Sequence, residues 1–452
     1  MTLPSPVMHG SIPSRTIEVT HRRMLALALP MTLAHVTTPL LGLVDATVIG
    51  RLGEAHLLGA VALGAVIFDF VFWSFGSLRM ATAGLTAQAT GAGNRYQVDR
   101  TLARALLVAV AVGVLMILLQ WPIAAIAFSL AGASEAVTGA LSTYFFLRIW
   151  AAPFTLANYV ILGSTLGRGR TDLGLYLQIA INVLNIVLTT LLVIGLGYGV
   201  AGAAIGTAVA EMAGVALGIA ILRRLGSNPF AVSWSEVLDK AAMLQTLAVN
   251  RDIMIRNVAL ILAFAIFSAL GARTGDVTLA ANAVLYNMFM IGGYFLDGFA
   301  TAAETLCGQS VGARDERGFR RAVSLSLGWS LGFGLAVSAV FLIGGGWFID
   351  FVTTSPDVRV HARDYMVFAA LTPLVGAVAF AYDGIYTGAT WTKAMRDLML
   401  VAFAAYAIVL LSVSSLGNSA LWIALLVFLG TRGLGQAILS ARLTRKTFPK
   451  AA

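Results

Sequence analysis

Met24-Leu-Ala-Leu-Ala-Leu-Pro-Met-Thr-Leu-Ala-His-Val-Thr-Thr-Pro-Leu-Leu-Gly-Leu-Val-Asp-Ala-Thr-Val-Ile-Gly50 is the stretch from which the fold is read. It exceeds the ~20 apolar residues that a helix needs to cross a ~30 Å hydrocarbon core. Its one charge, Asp45, falls near where the middle of such a helix would lie. A carboxylate there costs roughly 2.5–3.5 kcal/mol on insertion scales. A chain that keeps such a group uses it to handle a proton, a metal ion or a cationic substrate, so Asp45 points to transport.

The rest of the chain repeats the pattern. The 452 residues are 59% hydrophobic and 11% charged, with a mean hydropathy of +0.86. Soluble domains carry about 25% charged residues, so a water-soluble globule is excluded. Twelve apolar runs of spanning length recur between Leu25 and Leu439, the third covering 99–129. Strict polar/apolar alternation is absent, which removes a closed β-barrel, the other solution that lipid permits. The predicted fold is all-α and integral to the membrane, with twelve transmembrane helices in two six-helix lobes.

Charge placement sets the orientation. Of 30 Lys and Arg, only Arg51, Arg273, Arg359 and Arg363 fall on the side opposite the N-terminus, and Arg79, Arg148 and Arg432 fall within spans. The positive-inside rule then places both termini in the cytoplasm of a multi-pass inner-membrane protein. The net charge of +9 is topological, and nucleic acid is not expected as a partner. The expected divisions are a cytoplasmic tail 1–23, an N-lobe 24–225, a cytoplasmic linker 226–250, a C-lobe 251–441 and a cytoplasmic tail 442–452. No secretory cleavage pattern precedes the first span, which is expected to stay as an anchor. Cys307, a lone cysteine, leaves no internal disulfide.

The two halves repeat. Gln88, Gly91 and Ala92 recur as Gln309, Gly312 and Ala313, and Gly163 and Gly167 recur as Gly384 and Gly388, all at an offset of 221 residues. Six spans separate the copies, so they share one orientation, related by a pseudo-two-fold axis along the membrane normal. Substrate would bind between the lobes. Pro30 and Pro39 interrupt the first span, Pro153 the fourth and Pro373 the tenth, each removing a helix hydrogen bond. Pro39 could kink the helix next to Asp45.

Asp45, Asp69, Arg79, Arg148, Glu211, Asp297, Glu304, Asp383 and Arg432 all fall within spans. An acid desolvated in apolar surroundings can hold a proton near neutral pH and release it when a cation arrives, the minimum chemistry of a cation/proton exchanger. Asp297 and Glu304, seven residues apart, share a helix face and suggest a common proton or ion site. Asp383 is a further candidate. Arg79, Arg148, Glu211 and Arg432 read as structural ion pairs or helix-end anchors. Asn182 and Asn185 either bond neighbouring helices or contact substrate. His35 could relay protons towards Asp45 or be an ordinary hydrogen-bonded core histidine. Walker A and HExxH motifs are absent, and no loop is long enough for an enzyme domain. No enzyme, metal or cofactor is expected, beyond H+ or Na+ as coupling ion.

Leu43-Val-Asp-Ala-Thr-Val-Ile-Gly-Arg-Leu-Gly53, Leu78-Arg-Met-Ala-Thr-Ala-Gly-Leu-Thr-Ala-Gln88, Ala152-Pro-Phe-Thr-Leu-Ala-Asn158, Leu296-Asp-Gly-Phe-Ala-Thr-Ala-Ala-Glu304 and Tyr382-Asp-Gly-Ile-Tyr-Thr-Gly-Ala-Thr390 resemble segments of the multidrug and toxic compound extrusion (MATE) antiporters, bacterial DinF-like branch. The resemblance extends from about residue 22 to 441. It implies alternating access and expulsion of small cationic or amphipathic organic compounds against protons or sodium, by a monomer among membrane lipids. The family's first-helix acid falls on Asp45. Asp297 and Glu304 match the DinF-like pattern, and Asp383 matches an acid of sodium-using relatives. The family's fifth-helix Asn-x-x-x-Asp is incomplete here, because Thr189 stands four residues after Asn185. Proton coupling is therefore expected over sodium, with a C-lobe sodium cage of Asp297, Glu304 and Asp383 as the competing reading. A flippase for lipid-linked saccharides or another amphipathic lipid is the alternative function.

Overall fold

The computed structural model describes residues 16–449, without the side chains of Thr38, Pro39, Leu40, Leu41 and Leu43. The kink placed on Pro39, and the tail charges Arg15 and Lys450, lie outside the described residues. Twelve long helices cross the molecule: α1 (His21–Gly50), α2 (Ala55–Gly91), α3 (Arg95–Leu118), α4 (Glu135–Gly167), α5 (Thr171–Gly195), α6 (Gly199–Arg224), α7 (Lys240–Arg273), α8 (Asp276–Gly312), α9 (Glu316–Val352), α10 (Pro356–Gly388), α11 (Thr392–Ser412) and α12 (Asn418–Thr447). Each satisfies its backbone internally, as a bilayer requires. Side chains cap several starts: Thr20, Asn94, Asp239 and Asp315 each accept a first-turn amide at 2.9–3.3 Å.

Several boundaries differ from expectation. The third span, 99–129, is two helices, α3 and a short Gln120–Ala131 segment. Pro122 has no N–H to give the Leu118 carbonyl, so the first helix ends there. Helix α2 breaks at Phe75–Gly76 without any proline. Pro153 opens the second segment of α4, after a 3-10 turn at Ile149–Ala151. Pro373 lies inside α10, where the next amide, Leu374 N, donates to Ser338 Oγ at 3.1 Å. The expected linker 226–250 is helical from Lys240, and the expected tail 442–452 is helical to Thr447. The first tail is structured from its last residues: Ile17 N donates to Asp315 Oδ2 (2.9 Å) and Arg321 Nε to the Val19 carbonyl (2.8 Å).

The remaining connection between lobes is pinned rather than loose. Glu236 on its short helix accepts from Tyr96, Arg100 and Ser233, and Arg104 donates to the Glu236 carbonyl at 2.8 Å. These donors, Tyr96 first, pull the Glu236 carboxyl down to about 2. The clamp therefore stays ionised at any physiological pH and is lost only as the pH falls through that value.

Each lobe has its own core, one around Phe68, Leu102, Phe145 and Val160, the other around Met288, Trp422 and Phe428. A third cluster joins Met24 and Ala81 of the first lobe to Ile253, Leu306 and Tyr386 of the second. Here the 221-residue repeat becomes a physical two-fold. An added Cβ on Gly91 would stand 1.9 Å from the Gln309 carbonyl, and one on Gly312 would stand 1.8 Å from the Gln88 carbonyl. Both contacts require glycine. Gln88 Nε2 donates to the Gly388 carbonyl (2.9 Å) and Gln309 Nε2 to the Gly167 carbonyl (3.2 Å). Every partner is the 221-residue mate of its counterpart. Inter-lobe hydrogen bonds among the described residues run from this end as far as Asn257 Nδ2 to the Trp73 carbonyl at 3.5 Å, near mid-helix. Among the described residues, the inter-lobe hydrogen bonds therefore gather towards one end of the molecule.

Gly312→Ala should wedge this joint, at a cost of about 1–3 kcal/mol typical of overpacking. Cys307, fully buried beside it, reports the outcome: maleimide labelling of the folded protein is expected to accelerate and the melting temperature to drop. Unchanged labelling would show that the close approach is not a constraint.

Candidate functional site

Asp383 of the C-lobe and the acids of the N-lobe are held in opposite ways. In the C-lobe, Asp383 of α10 is fully engaged. Arg256 of α7 and Arg432 of α12 both donate to Oδ2, the latter at 2.6 Å, and Gln436 donates to Oδ1 at 2.9 Å. Arg256 also holds Asn257 Oδ1 at 2.9 Å, and the Arg432 guanidinium lies 5.6 Å from the Phe380 ring centre. All three charged groups are buried. Charge placement on the sequence put Arg256 in the basic cytoplasmic flank. The earlier start of α7 carries it inside the lobe instead, where it supplies half of the clamp on Asp383. Arg432 is the structural ion-pair member expected, and Asp383 is its partner.

The N-lobe leaves its charges open. Asp45 on α1 is half-buried, and its Oδ1 has no hydrogen-bond partner. Arg148 of α4 is the base whose field reaches Asp45, Asp69 and Glu211, but among the described residues it makes no ion pair with any of them. Its guanidinium instead rests over Phe68 and Phe72, 5.6 and 5.8 Å from the ring centres. Asp69 is exposed. Arg79, Arg148 and Glu211 are expected as structural ion pairs or helix-end anchors: among the described residues none of them makes an ion pair, and Arg148 ends its helical segment. A stripe along α5 repeats the theme. Asn182, Asn185 and Thr189 are buried on successive turns, with Thr189 against Gly206 of α6 and Ile181 against Gly214. Gln178 donates to Asn182 Oδ1 at 3.2 Å, whereas Asn182 Nδ2, both amide atoms of Asn185 and Thr189 Oγ1 lack protein partners. Just beyond, α5 widens into a π-helical turn at Leu191–Gly195, a distortion found often at functional sites. Asp45 shares no hydrogen bond with these residues.

Between the lobes stands Arg79, just past the break in α2. Its charge reaches His35 of α1 and both Asp297 and Glu304 of α8. Arg79 is thus the base of the opposite lobe that both α8 acids feel. Glu304 is 3% exposed and its Oε1 has no partner. Asp297 also feels Asp383 and the two guanidiniums, Arg256 and Arg432, that hold it, while both oxygens of Asp383 are already taken by their donors. Among the described residues no group of three or more His, Cys, Asp and Glu could hold a metal ion.

Two cavities accompany these features. One, of about 260 Å³, lies between α7 and α8 and is lined by Ser268, Asn282, Tyr286 and Asn287 among others. A smaller one, of about 50 Å³, sits inside the N-lobe between α4, α5 and α6, with Asn158, Tyr159, Gln178 and Glu211 in its wall. Sequence reading passed over Tyr159 and Gln178. The signal for Gln178 was its place one turn before Asn182 on the same helix.

A family model described as MatE matches residues 30–191 and again 253–416, one copy in each lobe. DNA damage-inducible protein F of Escherichia coli K12 is 40% identical over 422 residues, spanning 92% of this chain and 91% of that one. A protein of Rhizobium meliloti named a probable multidrug resistance protein, NorM, is 26% identical over 398 residues, 84% of each chain. A solved structure described as the outward-facing conformation of a multidrug resistance MATE family transporter superposes with a TM-score of 0.81 at 18% identity, covering 95% of this chain and 96% of that one. This last likeness establishes the two-lobe fold.

The contrast between lobes is testable by stability. Removing one partner of a buried ion pair typically costs about 3–5 kcal/mol. Asp383→Asn leaves two buried guanidiniums uncompensated and is expected to lower the melting temperature of the purified protein markedly, whereas Asp45→Asn should leave it unchanged. Equal melting of both variants would refute the division.

Proposed function

The chain belongs to the MatE family of multi-pass membrane transporters, carriers rather than enzymes, and from that premise we propose a secondary active efflux antiporter of the bacterial inner membrane. It exports cationic or amphipathic organic compounds in exchange for protons, as a monomer. The NorM-type relative named for multidrug resistance supports efflux. The basic residues gathered at the joined end of the lobes favour a cytoplasmic placement of that end and of both termini. With that end closed, the cleft opens outward, the state in which protons load and substrate leaves.

The observation that carries the proton reading is the engagement of Asp383 by Arg256, Arg432 and Gln436. A sodium cage needs several oxygens free to turn towards one ion, and both oxygens of this carboxylate are already held by cationic or amide donors. This engagement argues against Asp383 as a sodium ligand. Asp45 faces the opposite situation: it has an oxygen without a partner and a base, Arg148, near enough to feel but outside ion-pair range. A single carboxylate so placed binds and releases a proton without competing with a fixed salt bridge. Protonation would remove its charge and change its attraction to Arg148. Coupling then requires the charged and neutral forms to differ in how well they fit each lobe arrangement.

Efflux from proteoliposomes, with pH and sodium gradients imposed separately at fixed membrane potential, tests the reading. Transport driven by the pH gradient alone, and reduced to background in Asp45→Asn, is the expected result. Transport driven by sodium alone, lost in Asp383→Asn and retained in Asp45→Asn, would replace it with a C-lobe sodium mechanism.

A further inference from the structure

We propose that Glu211 of α6 is a second proton-binding carboxylate of the N-lobe, seated in the wall of the small cavity between α4, α5 and α6. The proposal rests on the proton-coupled reading above and adds a residue to it.

Three observations converge on Glu211. The first is its hydrogen bonding. Asn158 Nδ2 donates both to the Glu211 backbone carbonyl, at 2.9 Å, and to its Oε2, at 2.7 Å. One amide group thus fixes the side chain against its own helix and orients the carboxylate. The second is the lack of a counter-ion: no Lys, Arg or His among the described residues lies within ion-pair distance of it. A carboxylate charge withdrawn from water and held only by neutral groups, the Asn158 amide and the Thr155 hydroxyl, is costly, and an acid in that position relieves the cost by exchanging a proton. The third is the cavity itself. Its volume of about 50 Å³ accommodates at least one water, and the half-buried Glu211 forms part of its wall. Asn158 lines the same cavity, is 6% exposed and has an Oδ1 without a partner. The site therefore presents a carboxylate, an unpaired carbonyl acceptor and room for a proton carrier together.

The groups facing Glu211 are few. From α4 come Arg148, whose field reaches it, and Tyr159, which feels the Glu211 charge in turn. From α5 comes only the neutral Gln178. Asp45 of α1 and Asp69 of α2 share with it the field of Arg148. Arg148 is thus common to three acids and bonded to none, so the protonation of one changes the field available to the others.

Infrared difference spectra of the purified protein between about pH 5 and pH 8 test this without any substrate. The parental protein is expected to show carboxyl bands that vanish on deprotonation. Glu211→Gln, which keeps the acceptor for Asn158, should lose one band that Asp45→Asn retains. Glu211→Asp should shift that band rather than remove it, which keeps the test usable if the glutamine variant folds poorly. In proteoliposomes, the reversal potential of Glu211→Gln should correspond to one proton fewer per substrate. A carboxyl spectrum unchanged in both Glu211 variants overturns the proposal. Loss of the Glu211 band with none assignable to Asp45 would support Glu211 while refuting the role given to Asp45.

Discussion

Among the described glycines, Gly91 and Gly312 leave the least room for a side chain, each lying against the backbone carbonyl of a glutamine from the other lobe. In lipid no hydrophobic force draws helices together, so association depends on close packing and hydrogen bonds. Two glycines permit the approach, and two glutamine amides bridge it. Around this joint the helices pack on small residues: Gly163 and Gly167 sit on α2 carbonyls, and Gly384 and Gly388 sit on the equivalent α8 carbonyls. With the inter-lobe hydrogen bonds gathered towards one end, the proposed cleft opens at the other.

The charge distribution follows a division of labour between lobes that their shared ancestry of sequence does not suggest. The C-lobe satisfies Asp383 with two guanidiniums and an amide, and so holds α7, α10 and α12 together, while its Asp297 and Glu304 make no ion pair among the described residues. The N-lobe spreads three acids around one guanidinium and bonds it to none of them. The first arrangement resists a change of charge. The second is sensitive to one. Arg79 links the two, because it belongs to the N-lobe but its charge acts on Asp297 and Glu304 of the C-lobe.

Hydropathy and the repeat made the twelve spans, the two lobes and the dyad legible, because lipid enforces helix length and duplication preserves spacing. The breaks inside spans were less visible. Helix α2 parts at Phe75–Gly76 with no proline to announce it, and only the context of packing decides that site. Pro122 did announce the end of α3, but the apolar run continued past it. Asp45 was legible because a lone acid in an apolar run is conspicuous. The clamp on Asp383 was not, since Arg256 lies 127 residues away and at a depth set by the start of α7. Glu211 was visible as a charge, but its lack of a base could be seen only once α4 and α6 were side by side.

The paired glutamine contacts have a kinetic consequence. Gln88 and Gln309 stand in equivalent places about the dyad, so a symmetric separation of the lobes stretches both bonds equally. Neither can be released as a first, inexpensive step. The joint then behaves as an all-or-none switch, and a proton or substrate that biases it changes the fraction of molecules opened, not the width of the opening in each.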